Sequence, residues 1–118
     1  MNEAPRVFDL LRGDATETTS SPFGAVGLVH SGEGIEVVWV SKQAEQLDPD
    51  WFSTETVDLL LVVQGLLRVE FDDARLRELT LEPGQLLVLP GRTPCRAYRW
   101  PRDAQDATIF LAAYPKPG

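Results

Sequence analysis

The stretch EPGQLLVLPGRTPCRAYRW, Glu82 to Trp100, reads as turn, strand, turn, strand. Pro83-Gly84 puts proline's fixed φ at one corner of a turn and glycine's freedom at the next. QLLVLP is a short apolar run closed by Pro90, which cannot donate to a central ladder. After the turn PGRTPC, CRAYRW alternates, with Cys95, Ala97 and Arg99 sharing one face.

The same grammar extends in both directions. Upstream, TVDLLLVVQGLLRVEF is two apolar runs separated at Gln64-Gly65, a strand entering a tight turn and leaving as a second strand. In the second run Leu67, Val69 and Phe71 are predicted to face the interior, and Arg68 and Glu70 the opposite side. DDAR is a turn and LRELTL a strand. Further upstream, GAVGLVH and IEVVWVS are β-rich runs linked by SGEG, a hairpin signature. KQAEQLDPDWF is irregular, since Pro49 discourages a continuous ladder. Downstream, ATIFLAAYP is the last strand. Many short strands with turn chemistry between them, and no helical periodicity, predict an all-β sandwich or barrel.

A chain of 118 residues is sized for one domain with one core. The expected organisation is a polar N-terminal segment over residues 1–22, available as a strand exchanged in a dimer, and a β-barrel domain over 23–118. Net charge is −7, which argues against nucleic acid or an anionic membrane surface as partner. Arg92, Arg96, Arg99 and Arg102 fall close together, and are expected to form a solvated face. The single cysteine forbids an intrachain disulfide. The start, MNEAPRVFDL, lacks a basic region followed by an apolar run. No apolar stretch approaches the ~20 residues that span a bilayer. A cytoplasmic location is the expectation.

The turns and strand spacing resemble the cupin superfamily, small jelly-roll barrels built as a double-stranded β-helix, over roughly Ile35 to Pro115. One family motif runs Gly, five residues, Pro, any, Gly, two residues, His, three residues, Asn. Gly84 and Pro90 match it, and Pro94 stands where many members carry proline. The histidine position falls on Cys95 and the asparagine position on Arg99. The other motif runs His, any, His, three or four residues, Glu, six residues, Gly. Gly65 matches its glycine, Asp58 stands at the glutamate, and with the shorter gap Phe52 and Thr54 stand at the histidines; the longer gap selects Trp51 and Ser53. The shorter gap gives Phe52, Thr54 and Asp58 one strand parity.

The resemblance therefore implies a single-domain cupin-like jelly roll whose metal-ligand set is absent. First-row metals want three or more converging imidazole or carboxylate ligands, and these positions offer one carboxylate, one thiol and one hydroxyl. The expectation is no metal and no cofactor. His30, in the turn region beside SGEG, reads as a surface residue. Cys95 is either a thiolate activated by nearby arginines or a small apolar filler, and without a histidine partner filling is favoured. Asp58 interrupts an apolar strand, so it either touches solvent at the strand entrance or has a buried partner, for which Arg99 is the candidate. Trp39, Trp51 and Phe52 are candidates for a barrel mouth, and the aromatic surplus with Val7–Leu11 suggests a homodimer. The predicted pocket is Trp39, Phe52, Thr54, Asp58, Cys95 and Arg99, holding a small organic ligand, with no catalytic residue assigned. Two alternatives remain: a cupin-type isomerase or dioxygenase with an unusual ligand set, and a structural or regulatory dimer module with a filled barrel.

Overall fold

The computed structural model describes residues 4–13, 17–43 and 47–116. Nine strands account for the regular structure there, and no helix is present among the described residues. They are β1 (Glu17–Ser21), β2 (Gly24–Gly32), β3 (Ile35–Lys42), β4 (Asp58–Gln64), β5 (Leu66–Phe71), β6 (Leu79–Leu81), β7 (Leu86–Leu89), β8 (Cys95–Trp100) and β9 (Thr108–Pro115). A six-stranded sheet has the order β1-β2-β3-β9-β4-β7, and a three-stranded sheet has the order β6-β5-β8. Every pairing is antiparallel. The expected jelly roll is thus present as two sheets, which no ladder of hydrogen bonds closes into a cylinder.

Local chemistry sets the turns. Glu33 and Gly34 both have positive φ, 56° and 82°, the pair a two-residue hairpin needs to match strand twist. Gly65, between β4 and β5, has φ 73°; a Cβ there would lie 2.8 Å from the Thr108 hydroxyl oxygen. That hydroxyl donates to the Leu66 carbonyl, so the turn is fastened to β9. Gly84, with φ 89°, sits at the second corner after Pro83, and its amide donates to Val62 of β4.

Alternation then sorts the side chains. Val62, Leu67 and Val69 are wholly buried between the sheets, packed with Val40, Leu60, Leu81, Leu89, Cys95, Phe110 and Ala112. Phe71 packs on this cluster from its half-buried edge, so the predicted inward face of β5 is the observed one. A second, smaller cluster lies on the outer face of the large sheet: Trp39, Ala25 and Ile109, with Leu10 packed against them.

In the polar N-terminal segment, Glu17–Ser21 is paired with β2 of its own chain. Its β-branched threonines suit an edge strand, where polar side chains face water. Val7–Leu11 forms no strand; Asp9 caps a turn through the Leu11 and Arg12 amides, and Leu10 covers Trp39. LRELTL contributes only Leu79–Leu81 as strand.

Candidate functional site

Between the sheets, toward one end, lies a cavity of about 300 Å³, at the lower end of the range for small-molecule sites. Its walls are aliphatic and aromatic: Val38 and Val40 from β3, Leu60 from β4, Leu89 from β7, and Phe110 and Ala112 from β9. Polar groups are few and distinct. Asp58 and Cys95 line it from the first residues of β4 and β8, Arg96 and Tyr98 from further along β8, Lys42 and Tyr114 from the ends of β3 and β9, and Asp48 and Asp50 from the connection after β3.

Asp58 meets neither sequence-based alternative. It opens β4, facing the same way as Leu60 and Val62, yet only 1% of it is exposed. Its Oδ1 has no hydrogen-bond partner, and it takes part in no salt bridge among the described residues. Burial raises its pKa from 3.8 to about 6, partly offset by the Leu59 backbone amide.

The expected Asp58–Arg99 pair does not form. The Arg99 guanidinium donates to the Arg102 carbonyl at 2.6 and 3.1 Å. Arg99 shares the inward face of β8 with Cys95, as predicted. Four residues of strand separate them by about 13 Å, however, so Arg99 closes the β8–β9 connection and does not line the cavity.

Cys95 is 3% exposed. Its backbone exchanges two hydrogen bonds with Phe52, at 2.8 and 2.9 Å, which fixes the preceding loop across the cavity mouth. Burial first, and then the nearby Asp58 charge, push the thiol up to about 11. It is therefore protonated at neutral pH, which suits the filling reading and not a thiolate nucleophile.

Of the remaining predicted pocket residues, Phe52 lines the mouth and is 55% exposed. Thr54 does not line the cavity: its hydroxyl donates to the Thr56 carbonyl at 2.6 Å. Trp39 faces the other way. Val38 and Val40 point inward, so strand parity turns Trp39 outward, where its indole N–H donates to the Leu10 carbonyl at 2.7 Å. Trp51 stacks under Arg96, and Trp100 under Arg68, with ring distances of 4.1 and 4.5 Å. Tyr98 meets Trp100 edge to face. Much of the aromatic surplus thus dresses the outer faces of the two sheets. His30 hydrogen-bonds Arg6 and the Gly32 carbonyl on the β2–β3 hairpin, outside the cavity lining.

Tyr114 and Lys42 were missed, although parity could have found both. Tyr114 follows Phe110 and Ala112 on one face of β9, and Lys42 follows Val38 and Val40 on β3. The Tyr114 hydroxyl donates to Glu36, and burial with that bond pushes its pKa up to about 12. Burial lowers the Lys42 pKa, with Asp48 acting the other way.

The motif positions do not fit a metal. Asp58 and Cys95 are the only donors at those positions that reach the cavity, and Phe52 has no donor atom. Among the described residues no three His, Cys, Asp or Glu side chains are grouped to hold one.

The chain matches no protein-family model and no curated protein. Solved structures do resemble it. An RmlC-like cupin family protein with a double-stranded β-helix fold from Methanocaldococcus jannaschii superposes with TM-score 0.68 at 11% identity, covering 97% of this chain and 93% of that one. A cupin superfamily protein from Desulfitobacterium hafniense gives 0.63 at 12% identity, covering 89% and 83%. KdgF from Halomonas sp. gives 0.63 at 21% identity, covering 86% and 89%. The chain therefore has the cupin fold that its turn motifs predicted. At such identities the likeness extends to the fold alone.

Proposed function

We propose that this protein is a metal-independent binder of a small organic molecule, held in the cavity between the sheets. The observation that carries the reading is Asp58 Oδ1, a buried acceptor with no partner among the described residues, beside a cavity with largely apolar walls. A carboxylate is expensive to bury without full compensation, and a ligand donor would satisfy the oxygen that no described group bonds. The apolar walls supply contact area, and the Phe52–Cys95 bridge holds the mouth in place. The enzyme alternative has less support, since among the described residues the cavity has neither a group of metal ligands nor a nucleophile paired with a base.

The test is a small-molecule screen by thermal shift on wild type and on Ala112→Phe, which fills the cavity from its wall. Compounds are expected to stabilise the wild type and to lose their effect in the filled variant. Compounds that shift both equally, or a library with no hits, would sink the reading. Elemental analysis of protein purified without a metal-affinity tag is expected to find no stoichiometric transition metal. One equivalent of Zn, Fe, Mn or Ni surviving dialysis would favour the metal-dependent alternative.

A further inference from the structure

The charges around the cavity say more about the ligand than its walls do. Three carboxylates line it, Asp48, Asp50 and Asp58, against two cations, Lys42 and Arg96. Arg96 is partly engaged: its Nη2 bonds Glu70 at 3.3 Å and the guanidinium lies over the Trp51 ring, while its buried Nε has no hydrogen-bond partner among the described residues. Lys42 has Asp48 as its electrostatic neighbour. Among the described residues Asp58 is the one lining carboxylate that is wholly buried, and no cation there forms a salt bridge with it.

We propose that the cavity takes a small organic cation, a primary amine on an apolar body, whose ammonium donates to Asp58 Oδ1. This inference rests on the reading that the cavity binds a small molecule, and it specifies the chemistry. A hydroxyl would give Oδ1 a hydrogen bond but leave the buried charge uncompensated. A carboxylate ligand would bring like charges together. An ammonium supplies both the donor and the opposite charge, and bonds of that kind are about twice as strong as neutral ones. The rest of the molecule meets Leu60, Leu89, Phe110 and Ala112, so it must be apolar. A cavity of about 300 Å³ equals roughly ten waters at ~30 Å³ each, which sets the size of the body. Phe110 and Tyr114 also line the cavity, and aromatic rings beside a cation are favourable where their faces meet it.

Titration calorimetry at pH 8 tests this with three probes of matched shape: phenethylamine, phenethyl alcohol and phenylacetate. On the wild type the amine is expected to bind at least roughly tenfold tighter than the alcohol, and phenylacetate weakest. In Asp58→Asn the amine should lose that advantage while the alcohol keeps its affinity. If the alcohol or phenylacetate binds the wild type as tightly as the amine, the cation is overturned and the cavity still binds. An amine preference that survives Asp58→Asn also overturns the assignment, placing recognition at Asp48 or Asp50. No binding of any probe to the wild type removes both the inference and the reading beneath it.

Discussion

Asp58 makes a prediction about stability that needs no ligand. Its carboxyl has a pKa of 3.8 when unfolded and about 6 when buried. That difference, at ~1.4 kcal/mol for each pH unit, amounts to about 3 kcal/mol. The sign follows from proton binding. Between pH 3.8 and about 6 the folded state holds a proton that the unfolded state has released, so stability falls as pH rises through that window. Below it both states are protonated and the penalty vanishes; above it the full difference is present. Other carboxylates titrate nearby with the opposite sign, Glu36 and Asp73 both having lowered pKa values. The readout is therefore the difference between wild type and Asp58→Asn, measured by urea denaturation from pH 4 to pH 8. The asparagine variant is expected to gain on the wild type steadily across the window, approaching ~3 kcal/mol at pH 8 less whatever its own unpaired amide costs. A difference that stays constant across the pH range would show that the Asp58 charge is already compensated.

Arg92 occupies a left-handed conformation, φ 61°, and its ion pair with Glu55 is highly exposed on both sides. Arg92→Gly should therefore be neutral or stabilising by up to ~1 kcal/mol in denaturant melts, and a loss larger than that would refute the strain. The neighbouring Gly91 is the converse: an added Cβ would meet the Glu55 carbonyl oxygen at 2.4 Å, so Gly91→Ala should lower the melting temperature clearly. Cys95→Ala should cost only ~1–2 kcal/mol, and the folded thiol should resist a thiol reagent at pH 8; rapid labelling under native conditions would contradict its burial. A homodimer is proposed through the outer face of β4 and β7, where Leu59 pairs with Val88 and Leu61 with Leu86. Leu86 and Val88 are 54% and 56% exposed, and an uncharged aliphatic face is complementary to a second copy of itself. Light scattering should give twice the monomer mass at micromolar concentration, and Val88→Lys should halve it; a monomeric wild type ends the proposal.

The fold was legible because its signals are local. Glu33-Gly34, Gly65 and Pro83-Gly84 each demand a turn of one kind, and the alternation of β5 states its inward face without reference to any partner strand. The site was less legible because it depends on distances along strands and on which face a strand presents. Cys95 and Arg99 share a face, so parity made Arg99 a plausible partner for Asp58. Parity carries no information about the ~13 Å between them, or about the Arg102 carbonyl that turns back to accept the guanidinium. Trp39 shows the opposite failure. Its residue type suggested a mouth, while the flanking Val38 and Val40 already placed it on the outer face. Tyr114 lay in plain view on the face of Phe110 and Ala112, but nothing in the sequence marked that face as a cavity wall.

The late arginines show why the cavity's charge is left unbalanced. Clustered cations in an acidic chain suggested either a solvated face or a counter-charge for the pocket. The structure gives three of them separate structural partners: Arg92 meets Glu55, Arg96 lies between Glu70 and Trp51, and Arg99 holds the Arg102 carbonyl. Arg99 would have to break its bonds to the Arg102 carbonyl and cross the length of β8 before it could serve Asp58, and Arg96, whose Nε is unpaired, is held by Glu70 and Trp51. Lys42 is the lining cation with no salt bridge among the described residues, and burial already disfavours its charged form. Had the Asp58 carboxylate been a packing residue, a leucine in its place would fill the same strand position at no desolvation cost. A buried carboxylate with one oxygen unpaired among the described residues is what motivates the proposal of a partner from outside the chain, and a cationic donor would restore both the missing hydrogen bond and the charge balance.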